Sequence, residues 1–540
     1  MNDSVFQRRI IIGAGLCVVA FALVGIRLVD VTLFGSAGNG PVLARLVEPR
    51  ADLTDRNGEL LARDLPVKDL YARADAPFDL AQGARDLAAA TGADEKRLLK
   101  GLIAKRDSKR PYVLVARRIT PDQEMAVMAL GLPGLEFEPS VKRYYPDGRG
   151  AAQLIGVTDP DNNGVSGLEL GLQDRIHQAA AGKGGSGKVA TSIDMRVQYI
   201  LAHEVAEARK MFSAKAAGGV VMDVNSGEVL GLVSLPDFDP NARRLQPGDA
   251  TTNIVAQDIY ELGSIFKIFS FALGLEDRKI HLDEMLPVGR GYKIGKYTIH
   301  EAERLPDAMA VRDILAQSSN IGTAQIALRS GGVRQKAFLT SLGLLSPIRS
   351  ELPESARPLY PANWGMIETA TVGFGQGISV SPLSFTAAAA SIVNCGRRIT
   401  PTFVKQDGAD RRGEQVIKPQ TSQTMRHLLR YVVTDGTGKK AEALGYEVGG
   451  KTGSAQVPGP HGRYIPHALR TSFCAVFPAH EPRYIVFVML DQPHGTKETG
   501  GFALAGYTAA PMAGKVVARI APLLGVPNIP PPAKLADGSS

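Results

Sequence analysis

Ser264 stands three residues before Lys267. That spacing is close to one helical turn, so the hydroxyl and the amine would share one face. Between Ile265 and Leu275, Lys267 is the only charge. A helix that is apolar all round is a buried one. A charged amine is costly to bury, and loss of water lowers its pKa until neutral amine is available as a proton acceptor. Ser264 would sit at the helix start, where free N–H groups and the helix dipole favour developing negative charge. A hydroxyl beside such a base is an activated nucleophile. Taken alone, Ser-x-x-Lys is more often a pair of surface residues.

Two further motifs change the balance. Gln317-Ser318-Ser319-Asn320 follows an apolar helical stretch from Val311 to Ala316. There Ser318 could relay a proton, and Asn320 could hold both Lys267 and a substrate amide; alone this is an ordinary polar turn or helix cap. Gly449-Gly450-Lys451-Thr452-Gly453-Ser454 reads as part of a strand. Its glycines allow close backbone approach. Lys451 and Thr452 could bind a carboxylate, and the backbone N–H of Ser454, with that of Ser264, could form an oxyanion hole. Ser-x-x-Lys, Ser-x-Asn and Lys-Thr-Gly each occur once, in that order. That ordered set belongs to β-lactamases and penicillin-binding proteins.

These residues need elements to hold them. Val- and Leu-rich runs from Gly219 to Val224 and Glu228 to Leu235 flank Asn225-Ser226-Gly227 and predict a hairpin. Tyr446 to Val457, Thr471 to Phe477 and Tyr484 to Leu490 predict three more strands. Helices are predicted over Met195 to Met211 and Ala510 to Leu524, and residues 260–440 read as mostly helical. Strands at both ends with helices inserted between them imply an α+β domain. Ahead of it, Asn57-Gly58 marks a hairpin turn, a basic helical stretch follows, and 183–188 has the composition of a flexible connector.

At 540 residues the chain is too long for a single core. Residues 1–34 are expected to be a cytoplasmic tip and a membrane anchor, 35–188 a non-catalytic pedestal, 189–528 the catalytic domain and 529–540 a disordered tail. The anchor rests on the uncharged run from Ile10 to Ile26, extended past Arg27 and Asp30 to Phe34. A crossing helix needs about 17–25 apolar residues. Arg8 and Arg9 on the near flank keep the short N-terminus in the cytoplasm, which puts the rest outside as a single-pass protein. A cleaved signal peptide would have a shorter apolar core. Of the three cysteines, Cys17 lies in the anchor, and Cys395 and Cys474 lie far apart, so neither a disulfide framework nor a metal site is indicated. No cofactor is called for. The net charge of +8 is concentrated between Lys96 and Arg118, with nine Lys or Arg against one Asp. With Tyr112 its single aromatic residue, the run does not suggest nucleic acid, and a solvated helix face is the simplest reading.

On these motifs the chain resembles the class B penicillin-binding proteins, and their cell-division branch in particular. Arg50 to Ala62 is similar to the family signature Arg-Gly-x-Ile-x-Asp-Arg-Asn-Gly, with Ala51 in place of Gly. Arg143-Tyr144-Tyr145-Pro146, Gly167-Leu168-Glu169 and Thr191-Ser192-Ile193-Asp194 resemble landmarks of the pedestal and its junction. Gly375-Gln376-Gly377 and Val380-Ser381-Pro382 resemble a cleft-lining stretch. The resemblance implies a transpeptidase domain, a five-stranded antiparallel sheet against a helical lobe, above a pedestal and a single transmembrane helix. It implies Ser264 as acyl-enzyme nucleophile, Lys267 as its base, and Ser318 and Asn320 as relay and positioning groups. Lys451, Thr452, Gly453 and Ser454 would bind a D-Ala-D-Ala stem peptide of peptidoglycan, or a β-lactam in its place. The implied partner is a polytopic SEDS-type glycosyltransferase, FtsW, together with other division proteins, at the inner membrane with the catalytic domain periplasmic. Leu262, Ile265 and Ser454 depart from the residues common at those positions (Pro, Thr and Thr).

Three rivals differ in class or role. A β-lactamase shares the motifs but would be about half as long and would carry a deacylating group. An elongation-type transpeptidase differs only in its partner, and a non-catalytic scaffold would not need Ser264, Lys267 and Lys451. The anchor reading is checked by fusing after Ser540 a reporter that is active only outside the cytoplasm; it should be active, whereas a mature chain beginning near residue 39 would refute a retained helix.

Overall fold

A computed structural model describes residues 21–22, 49–182, 187–242, 248–406, 410–459 and 463–529. Among these, no helix is long and apolar enough to cross a membrane. The expected anchor lies outside the described residues apart from Phe21 and Ala22, which are helical, and so do most of the connector and of the C-terminal tail. The chain forms two compact units. Described residues of the smaller are 21–22 and 65–142, and the larger takes 49–64 with the described residues from Arg143 onward.

In the smaller unit, strands pair antiparallel, with Leu70 opposite Ala116 and Ala72 opposite Val113. Helices Leu80–Thr91 and Glu95–Lys105 bury Leu87, Leu98 and Leu102 against them. Asp79 and Asp94 cap the two helix starts through backbone N–H groups. The basic run therefore falls on one amphipathic helix, the turn after it and the strand Tyr112–Ile119.

The larger unit is built around five strands: β1 (Ala216–Asp223), β2 (Val229–Leu235), β3 (Gly449–Pro458), β4 (Tyr464–Phe477) and β5 (Tyr484–Asp491). Their order is β3-β4-β5-β1-β2, and all pairs are antiparallel. Every residue of β5 is buried. Ile485, Phe487 and Met489 face one core while Val486, Val488 and Leu490 face the other, the two-residue alternation of a strand covered on both sides. On one side lie α1 (Met195–Met211) and the last helix of the unit, Ala509–Ile520, which contribute Leu201, Val205, Val516 and Val517. On the other lies the helical lobe, whose aromatic centre is Phe266, Phe269 and Phe385, with ring centroids 5.3–5.7 Å apart.

The expected α+β sheet with its helical lobe is thus present. It differs from expectation in two places. Strand β4 starts at Tyr464 rather than near Thr471, because residues 464–467 are exposed and offer no apolar alternation to read. Four three-residue strands lie between Met285 and Ala310, too short to show periodicity.

Three landmarks far apart in the sequence meet in one buried ion network. Arg50 donates through Nε and Nη2 to Glu169 Oε2 at 3.0 and 2.7 Å, and Arg143 Nε donates to Glu169 Oε1 at 2.6 Å. Arg143 Nη1 also reaches Asp64 at 3.1 Å. The Arg50 and Glu169 side chains are fully buried. Strand Asp52–Thr54 runs from this knot, pairs Leu53 with Ala62 across the Asn57-Gly58 turn and lies parallel to Lys188–Ala190. Gly58 has φ +96°, which the turn requires. Thr191 then donates to Thr54 O at 2.9 Å, and Asp194 caps α1. Removing one partner of a buried charge cluster leaves the others unpaired, so Glu169→Ala should destabilise the larger unit by about 3–5 kcal/mol. Denaturant unfolding measures this, and a loss under about 1 kcal/mol would show that the network is not needed for stability.

Candidate active site

Ser264 lies in one turn of 3-10 helix, Gly263–Phe266, which runs directly into α2 (Lys267–Glu276). The expected helix is there, with its first turn tightened. Gly263 (φ +61°) approaches the backbone of Ser454 and Ala455 on β3. Its carbonyl would lie 2.1 Å from a Cβ at Gly375, whose own φ is +82°. A Cβ at Gly453 would lie 2.7 Å from Leu262 O. A side chain at 453 would therefore push the Ser264 turn away from the edge strand, and one at 375 would displace Gly263.

Lys267 is fully buried, and its Nζ points into the Ser318–Asn320 turn. It donates to Ser318 O, to Ser318 Oγ at 3.1 Å and to Asn320 Oδ1 at 2.8 Å. Ser318 adopts φ +63°, a left-handed conformation that costs a non-glycine residue about 1–3 kcal/mol and persists only where surroundings impose it. Here it turns both the carbonyl and the hydroxyl of one residue towards one amine. Ser319 caps the next helix, α3 (Asn320–Ser330), by accepting from Gly322 N at 2.9 Å.

Lys451, on β3, is fully buried as well. Its Nζ donates to the same Ser318 Oγ at 3.0 Å, to Thr452 O at 3.1 Å and to Thr452 Oγ1 at 3.2 Å. Burial pushes its pKa down to about 7. For Lys267, burial first and then the Lys451 charge hold the pKa well below the ordinary lysine value, with Glu301 opposing them. Two amines within 3.1 Å of one hydroxyl cannot both stay charged cheaply at this depth, so the pair sheds a proton.

A cleft of about 360 Å³ lies above them, lined by Ser264, Ser318, Asn320, Thr452 and Ser454, with Thr437. With Asn320 Oδ1 turned to Lys267, its Nδ2 is left to donate to a ligand. Strand β3 is an edge strand of the sheet, able to add a further extended chain. Of the anticipated residues, Ser264, Ser318, Asn320, Thr452 and Ser454 line the cleft, whereas Lys267, Lys451 and Gly453 lie outside its lining; the two lysines meet at Ser318. The Lys451 charge is passed on through the hydroxyls of Ser318 and Thr452. Two residues were not anticipated. Thr437 meets Thr452 hydroxyl to hydroxyl at 2.8 Å; the flanking Gly436 and Gly438 were the available signal. Glu301 also lines the cleft and had no signal in spacing.

Residues 217–514 match the penicillin binding protein transpeptidase domain, and residues 46–176 match the penicillin-binding protein dimerisation domain. The chain is 39% identical over 509 residues to the probable peptidoglycan D,D-transpeptidase FtsI of Caulobacter vibrioides, covering 92% of this chain and 85% of that one. Against the peptidoglycan D,D-transpeptidase FtsI of Escherichia coli K12 it is 29% identical over 490 residues, covering 86% and 83%. The crystal structure of penicillin binding protein 3 from Mycobacterium tuberculosis complexed with ampicillin is similar with a TM-score of 0.70 and 26% identity, covering 90% of this chain and 97% of that one. The chain belongs to the class B penicillin-binding proteins. Its activity is that of a peptidoglycan D,D-transpeptidase.

The proximity of the two amines has a measurable consequence. The Lys451 charge lowers the pKa of Lys267, so Lys451→Met should raise it. With Lys267 as the expected base, the rate of acylation by penicillin should fall as Lys267 takes up a proton, and this acid limb should move to higher pH in the variant. Acylation rates measured from pH 5 to 9 check it; an unmoved limb would mean that the amines do not sense one another.

Proposed function

We propose that Ser264 is the nucleophile of this transpeptidase, Lys267 its general base and the Ser318–Asn320 turn its relay. The observation that carries this is the fully buried Lys267 Nζ held by both Ser318 and Asn320, one turn after a serine that lines the cleft. Neutral Lys267 takes the Ser264 proton as Oγ attacks the carbonyl of the D-Ala-D-Ala bond. The backbone N–H groups of Ser264 and Ser454 receive the oxyanion. The proton returns through Ser318 to the departing D-Ala amine, leaving an ester on Ser264. An amine of a second stem peptide then attacks the ester, forms the cross-link and restores the serine.

The substrate's terminal carboxylate meets Thr452 and Thr437, whose hydroxyls are backed by the Lys451 ammonium. Gly453 serves by being small. A β-lactam enters by the same route, because its strained amide and carboxylate mimic the dipeptide.

The cellular setting is the septum. Two relatives named FtsI support a division role, and the uncharged Ile10–Ile26 run behind Arg8 and Arg9 supports a single inner-membrane anchor with a periplasmic catalytic domain. Polymerisation of the glycan is assigned to FtsW, a SEDS-type partner.

The test is covalent. Penicillin should add one adduct, mapped to Ser264 by mass spectrometry and lasting many minutes or longer, and Ser264→Ala should show none. In Lys267→Arg acylation should disappear although the charge remains, since Arg does not deprotonate near neutral pH. Rapid catalytic hydrolysis of the drug would sink the transpeptidase mechanism. A fluorescent fusion spread along the side wall, rather than gathered at mid-cell, would overturn the septal role.

A further inference from the structure

The strained turn that holds Lys267 is itself held by a group outside the three motifs. Glu301 lies in the segment between strands Tyr297–Ile299 and Ala308–Ala310, 19 residues before Asn320. Its Oε2 accepts from Asn320 N at 2.8 Å. Its Oε1 accepts from Ile321 N at 3.0 Å and from the hydroxyl of Ser319. Ser319 is fully buried and spends its other hydroxyl capacity on Gly322 N. The first N–H groups of α3 are thus divided between Glu301 and Ser319, and a carboxylate at a helix N-terminus is also favoured by the dipole. No part of Glu301 is needed to bond Lys267 directly. It acts on the backbone that carries Ser318 O, Ser318 Oγ and Asn320 Oδ1, the three acceptors of that amine.

We propose that Glu301 is a positioning residue for acyl transfer, fixing the Ser318–Asn320 turn against Lys267 and supplying, among the described residues, the negative charge that acts on it. The charged groups acting on Lys267 are Lys451 from β3 and Glu301 from the loop over α3; Ser318 and Asn320 are neutral. Burial and Lys451 favour the neutral amine, and Glu301 favours the protonated one. Without Glu301 the amine would be neutral at lower pH but a weaker base, and a catalytic base works best with its pKa near the working pH. The carboxylate therefore limits how far burial depresses Lys267 while it holds the relay in place.

This inference rests on Lys267 being the base, and the experiment separates the two. Glu301→Gln keeps the shape and one acceptor oxygen but removes the charge; Glu301→Asp keeps the charge on a shorter arm. Acylation of Ser264 by penicillin is followed from pH 5 to 9 in the full-length chain and in both variants, with Lys267→Arg alongside. Glu301→Gln should slow acylation by up to roughly a hundredfold at its plateau, the scale of small misplacements of a reacting group. Its acid limb should move to lower pH. Glu301→Asp should also be slower, with its acid limb where the parent's is. A limb unmoved in Glu301→Gln, or moved equally in both variants, would reduce Glu301 to a helix cap and overturn the proposal. Normal acylation by Lys267→Arg would instead remove Lys267 as the base and leave the cause with that reading.

Discussion

One hydroxyl governs the site. Ser318 Oγ accepts from Lys267 and from Lys451, and both amines are out of contact with solvent. Burial makes each charge costly, and the proximity of the two makes holding both costlier still. Both amines are thereby pushed towards the neutral form, and among the described residues no carboxylate is bonded to either. Lys451 lies under the cleft, where a ligand carboxylate would favour its protonated form. Each amine has three oxygen acceptors, so the asymmetry comes from charge: burial alone acts on Lys451, whereas Lys267 also meets the Lys451 charge and is partly compensated by Glu301.

That arrangement needs three elements to converge within hydrogen-bonding distance. Strand β3 brings Lys451, the turn Gly263–Phe266 brings Ser264 and starts α2, and the loop before α3 brings Ser318 and Asn320. The approach of the first two is made by absent side chains. A Cβ on Gly453 would lie only 2.7 Å from Leu262 O, and one on Gly263 only 3.2 Å from Ser454 O. The apolar wall of α2, packed through Phe266, Phe269 and Phe385, then fixes Lys267 with no freedom to swing out to water. A sheet buried on both faces provides the rigid reference against which these sub-ångström relations can persist.

The chemistry was legible because its carriers are close in sequence. Ser264 and Lys267 are one turn apart, Ser318 and Asn320 flank one residue, and Lys451 to Ser454 share one strand, so local periodicity places each set. The sheet was legible for the same reason: β1, β2, β3 and β5 were read within about three residues at each end. What escaped lies in contacts that periodicity does not encode. Glu301 reaches its partners from 18 to 20 residues away, Thr437 reaches Thr452 from another loop, and Arg50 reaches Glu169 across 119 residues. The depth of Lys451 was missed as well, because a strand residue can face either side and only tertiary packing decides which.

The buried network of Arg50, Arg143 and Glu169 shows what the landmarks outside the cleft can do. None of the three lines the catalytic cleft. They close the point where strand Asp52–Thr54, the segment after Arg143 and the strand leading into Thr191 come together. From there Asp194 starts α1, and α1 covers one face of the sheet whose opposite face carries α2. Charge pairs of this depth contribute little net stability compared with apolar residues of the same shape, but each pair is satisfied in only one geometry. A fold that must keep two lysines, one serine and one strained turn in register has reason to favour uniqueness of arrangement over extra stability. The ion network at the sheet's base and the shared hydroxyl at its edge obey the same rule: a buried charge is tolerated only where its partners are already in place.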